Sequence, residues 1–146
     1  MSLYWITPQV AVTGIAIAPN NWPELATTHQ IGAVVNLRQE YNDIFCEPYP
    51  AAYLWLPVTD YTDPSIAQLQ MGAAFIDMAV RSGQRVLVHC LMGIGRSPTM
   101  AAAYLVYTGY SVEGAINEVM EKAERVCVPC IRPTTLKELA RQLKAG

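Results

Sequence analysis

The sequence predicts an α/β sandwich, a central mixed sheet flanked by helices, formed by a single domain over residues 1–146. Two patterns predict it: short β-branched runs lie in the first ninety residues, and helical periodicity fills the C-terminal half. Length agrees, since a chain of 146 residues suits one core burying roughly two-thirds of its unfolded surface. No internal repeat or low-complexity tract interrupts it, and Pro and Gly fall singly between periodic segments, so no domain boundary is needed.

Strands are expected at Val10–Val12, Ile15–Ala18, Ala33–Leu37, Tyr53–Pro57 and Arg85–His89, each bounded by turn residues. Helices are expected at Trp22–His29, Ser65–Ser82, Pro98–Thr108, Val112–Ala123 and Thr135–Leu143. Several carry readable ends. Ser65 and Gln68 have capping-box spacing, Gly109 is placed to stop one helix, and Ser111 to cap the next. Apolar stripes such as Leu69, Phe75, Ile76 and Ala79 read as core packing.

Composition excludes several classes of partner. No run approaches the ~18 consecutive apolar residues of a membrane span, and net charge is −2 with the basic residues scattered, so no stripe tracks a nucleic-acid backbone. The N-terminus shows neither a secretory nor an Arg-rich transit pattern, and a cytoplasmic monomer is expected. Cys46, Cys90, Cys127 and Cys130 are too few and too unevenly spaced for a disulfide framework. Cys127 and Cys130 have metal-knuckle spacing but lack a second close pair, so no zinc site is expected.

The chemistry concentrates in one loop. Val86-Leu87-Val88 has a buried-strand pattern, Pro98 sits at the favoured first position of a helix, and Cys90-Leu91-Met92-Gly93-Ile94-Gly95-Arg96-Ser97 joins them. A strand–loop–helix turns backbone N–H groups inward at the positive end of a helix dipole, making a cradle for phosphate. Gly93 and Gly95 allow the tight backbone, so Leu91 to Gly95 supply the amides. A cysteine at the start of such a cradle sits in a field that favours its thiolate. Arg96, six positions later, can grip two phosphate oxygens with its planar fork while Cys90 lies beneath phosphorus. Ser97 can donate its hydroxyl to the sulfur and ease its departure from a phosphoenzyme. His89 is expected to orient the loop through backbone hydrogen bonds rather than to act as a base.

His89-Cys90, five residues, then Arg96-Ser97 resembles the signature of the protein tyrosine phosphatase superfamily, and looks most similar to the small dual-specificity phosphatases. The similarity runs from about Trp5 to Leu143 and is densest from Tyr53 to Tyr107. It implies a sheet flanked by helices and hydrolysis of phosphate monoesters through a cysteinyl-phosphate, without metal or cofactor.

Such chemistry needs an acid for the leaving oxygen, and later a base for water. Asp60 and Asp63 both lie upstream in Leu56-Pro57-Val58-Thr59-Asp60-Tyr61-Thr62-Asp63-Pro64. Asp63 stands at a helix start, where a carboxylate has a structural use. Small dual-specificity enzymes place their acid after a strand like Leu56-Pro57-Val58, about as far ahead of the cysteine as Asp60, and the resemblance favours Asp60.

The loop from Leu91 to Gly95 contains no Lys, Arg or His, whereas relatives acting on inositol lipids tend to carry basic residues there. Phosphotyrosine, with phosphoserine or phosphothreonine as further substrates, is the first expectation. The stretches Asn36 to Tyr41 and Ile131 to Leu136 also resemble the mitochondrial phosphatidylglycerophosphate phosphatase branch, which makes a phospholipid or small phosphometabolite the alternative. Thr135 departs from that branch, which commonly has Gln after Arg-Pro. A phospho-residue binding module without turnover is a rival of another class. Arg132 is expected to be a solvated loop residue, and Cys46, Cys127 and Cys130 ordinary small residues, with a reversible disulfide to oxidised Cys90 as the other use.

Overall fold

The computed structural model describes residues 3–59, 62–90, 96–123, 131 and 133–145. Five strands, β1 (Tyr4–Thr7), β2 (Val10–Thr13), β3 (Ile31–Arg38), β4 (Ala52–Val58) and β5 (Arg85–His89), form one sheet in the order β1-β2-β5-β3-β4. The β1–β2 pair is antiparallel, and β2, β5, β3 and β4 run parallel. The helices are α1 (Trp22–Thr27), α2 (Ile66–Arg81), α3 (Arg96–Tyr107), α4 (Val112–Lys122) and α5 (Pro133–Ala145).

Parallel strands covered on both faces need apolar residues on both, and β3 and β5 satisfy this through alternation. Ala33, Val35, Leu37, Val86 and Val88 join the core beneath α2 to α5. Val34 and Leu87 instead meet Trp22 and Leu25 of α1, with Ile17 and Ile31 beside them. Helix α3 is buried from Arg96 through Val106, as expected of a helix surrounded by others. The cap signals have the expected outcome: Ser65 and Gln68 form a reciprocal capping box, and Ser111 accepts the Gly114 amide. Gly109 holds φ +118° just beyond α3, a conformation that favours glycine.

Two elements differ from expectation. Ile15–Ala18 is not a strand: the Asn21 side chain accepts the Ala18 amide and donates to the Ala16 carbonyl, tying backbone groups that a ladder would need. The antiparallel partner of β2 is Tyr4–Thr7 instead, returned by a turn in which Thr7 Oγ1 accepts the Gln9 and Val10 amides. Helix α3 also starts at Arg96, two residues before Pro98.

Candidate active site

The carboxyl ends of β2, β5, β3 and β4 converge on one edge of the sheet, the edge where open parallel sheets bind ligands. Central β5 ends at His89, and Cys90 follows it, buried, with its amide donating to the Thr13 carbonyl at the end of β2. Helix α3 returns the chain so that Ser97 Oγ lies 3.0 Å from Cys90 Sγ and the Ser97 amide donates to the same sulfur at 3.4 Å. The Ser97 amide is thus aimed at the sulfur, with the Ser97 hydroxyl beside it. Thr13 O is also 3.5 Å from Ser97 Oγ, so one carbonyl on β2 registers both residues.

Arg96, buried on the first turn of α3, donates through Nη1 to the Val58 carbonyl at 2.8 Å and to Glu40 Oε1 at 2.9 Å. Its Nη2 reaches Glu40 Oε2 at 3.4 Å. The Arg96 guanidinium beside Glu40 holds that carboxyl below its ordinary value, with Arg38 adding a weaker pull from 3.7 Å. Arg96 is thus held from β4 and from the loop after β3.

His89 is buried, and its Nε2 lies 2.6 Å from Asp43 Oδ2; the ring is tied to a carboxylate rather than to backbone. The segment supplying Glu40 and Asp43 is itself fastened to the sheet. Asn36 Nδ2 donates to the Tyr41 carbonyl at 2.9 Å, the Tyr53 hydroxyl donates to Asn42 Oδ1 at 2.7 Å, and the Asp43 amide donates to Asn42 Oδ1 and Tyr53 Oη. Burial pushes the Tyr53 phenol up, which keeps it a neutral donor. Phe45 stacks edge-on between Trp22 and Tyr53, with centroids 4.9 Å from each.

Of the predicted site residues, the structure brings Cys90, Arg96, Ser97 and His89 together. Asp60, Leu91, Met92, Gly93, Ile94 and Gly95 lie outside the described residues, as do Cys127, Cys130 and Arg132. Asp63 accepts a hydrogen bond from Thr135 Oγ1 on α5. Thr135, where the branch resemblance fails, therefore latches the segment after β4 to the last helix. Glu40, Asp43, Thr13 and Tyr53 went unforeseen. Glu40 lies 56 positions from Arg96 and Asp43 lies 46 from His89, so only the parallel β3–β5 pairing brings them close.

The family model described as the dual specificity phosphatase catalytic domain matches residues 16–141. This chain belongs to that family. Dual specificity protein phosphatase Mpk3 of Drosophila melanogaster is 33% identical over 101 residues, 68% of this chain and 25% of the fly protein. Phosphatidylglycerophosphate phosphatase PTPMT2 of Arabidopsis thaliana is 28% identical over 117 residues, 76% of this chain and 51% of the plant protein. The chain thus spans a quarter of the first relative's length and about half of the second's. Among solved structures, Tk-PTP in the active form superposes with a TM-score of 0.80 at 31% identity, over 97% of both chains. The dual specificity phosphatase fold accounts for the mixed sheet and for Cys90 just after β5 and Arg96 at the start of α3. Among the described residues, no helix is long and apolar enough to cross a membrane.

Proposed function

We propose that this domain hydrolyses phosphate monoesters through a cysteinyl-phosphate on Cys90, with phosphotyrosine as its first substrate and phosphoserine or phosphothreonine as further ones. The observation that carries the proposal is the sulfur of Cys90 held by the Ser97 hydroxyl and amide at the end of the central strand, beside an Arg96 already fixed in place. Cys90 attacks phosphorus in line, Arg96 and the amides of Leu91 to Gly95 hold the equatorial oxygens, and Asp60 protonates the leaving oxygen. Asp60 then takes a proton from water, which releases phosphate, while the Ser97 hydroxyl stabilises the departing thiolate.

The similarity to a plant phosphatidylglycerophosphate phosphatase favours a second substrate class, a phospholipid monoester. Turnover of p-nitrophenyl phosphate by wild type, lost in Cys90→Ser and Arg96→Ala, tests the reaction; phosphate-ester binding without turnover by wild type would overturn it. A panel of phosphotyrosine and phosphothreonine peptides against dispersed phosphatidylglycerophosphate tests the substrate. Preference for the lipid would overturn the phosphotyrosine assignment.

A further inference from the structure

We infer that Asp43 is a positioning residue for Cys90 and acts through His89. Three observations carry this. The Asp43–His89 contact is short, at 2.6 Å, and both side chains are buried, at 2% and 0% exposure, so neither partner exchanges it for water. The Asp43 main chain is held in turn, its amide donating to Asn42 Oδ1 and Tyr53 Oη, which fixes the stem from which the buried carboxylate reaches His89. His89 Nδ1, one bond nearer the main chain that runs into Cys90, has no hydrogen-bond partner among the described residues. A buried polar atom left unpaired costs about 1–3 kcal/mol, and a ring needed only for packing would be apolar.

A carboxylate only accepts, so the ring must present its N–H at Nε2, which fixes both tautomer and ring plane. His89 is paired on both sides in the sheet, with Thr13 of β2 and Asn36 of β3, and Cys90 donates its amide to the Thr13 carbonyl. The ring is therefore the anchored support from which the main chain turns out of the sheet to place Sγ against Ser97. Among the described residues, the other charged or titratable groups near the pair are Cys90, next to His89, Tyr53, whose hydroxyl accepts the Asp43 amide, and Glu40 at the other end of the segment, paired with Arg96 of α3 and near Arg38 of β3.

The proposal rests on the phosphatase reading for naming Cys90 as the reacting group, and the test separates the two. Asp43→Asn keeps size and shape but allows an NH₂ to face the ring, favouring the wrong tautomer. Expected is a kcat for p-nitrophenyl phosphate at least tenfold lower with KM within threefold, and alkylation of Cys90 by iodoacetate at pH 6.5 at least fivefold slower. The decisive readout is a double-mutant cycle: in a His89→Asn background, with His89→Gln as the second variant, Asp43→Asn should cost nothing further. Rates within twofold of wild type in Asp43→Asn, or costs that multiply in the double variant, overturn the proposal. Should wild type turn over no phosphate ester, the reaction fails, yet the alkylation rates of the four proteins still decide the role of Asp43.

Discussion

Glu40 receives Arg96 end-on, Oε1 at 2.9 Å from Nη1 and Oε2 at 3.4 Å from Nη2, across 56 residues of sequence. The pairing orders the guanidinium, and if Arg96 grips phosphate as proposed, part of the entropic cost of that binding is met in folding. Glu40→Gln keeps one acceptor and loses the charge. Because Glu40 is partly exposed, the lost stabilisation is about 1 kcal/mol, and kcat/KM for p-nitrophenyl phosphate should fall roughly fivefold to tenfold. Steady-state kinetics at saturating and limiting substrate check it.

Acid should open the same contact. The Glu40 carboxyl is held below its ordinary value of 4.5, chiefly by its hydrogen bond to Arg96. Its contribution to stability is therefore complete above 4.5 and is lost as pH falls through the lowered value in the folded protein. The difference in melting temperature between wild type and Glu40→Gln should be constant at neutral pH and shrink below about pH 4.5, as measured by calorimetry.

Ser97→Ala removes the hydroxyl 3.0 Å from Cys90 Sγ but leaves the Ser97 amide in place. The sulfur then leaves phosphorus less readily than it attacks it. A hydrogen bond to a charged group is worth about 1.5–3 kcal/mol, so breakdown of the phosphoenzyme should slow tenfold or more. Stopped-flow kinetics with p-nitrophenyl phosphate should show a burst of p-nitrophenol followed by a slow steady state.

The two aspartates after β4 should separate cleanly. Asp60→Ala is expected to lower kcat by about 10²–10⁴ on phenyl phosphate and far less on p-nitrophenyl phosphate, whose leaving group needs little protonation. Thr135→Val, which deletes the hydroxyl that donates to Asp63, should leave kcat near wild type and cost about 1 kcal/mol of stability, a fall in melting temperature of roughly 2–4 °C.

The sequence made legible what depends on local chemistry. Ser65 with Gln68, Ser111 and Gly109 marked helix ends because caps are short-range devices. The run from His89 to Ser97 marked the end of a central strand and the start of a helix, which the structure places at β5 and α3. Hidden were the groups that meet only through the sheet. Asp43 sits in a polar loop like any solvated aspartate, and nothing near it in the chain tells that β3 and β5 are neighbours. Ile15–Ala18 misled because an apolar run carries no sign of the Asn21 side chain that occupies its backbone.

The short segment from Glu40 to Asp43 also acts as a gauge. Its two ends engage the start of α3 and the end of β5, Arg96 through Glu40 and His89 through Asp43, and three residue steps separate them. One inserted residue adds up to about 3.3–3.6 Å of chain, more than either contact can absorb. Length changes should therefore be borne beyond Asp43, where Ile44 and Tyr49 are exposed, and refused between Glu40 and Asp43, however conservative the added residue.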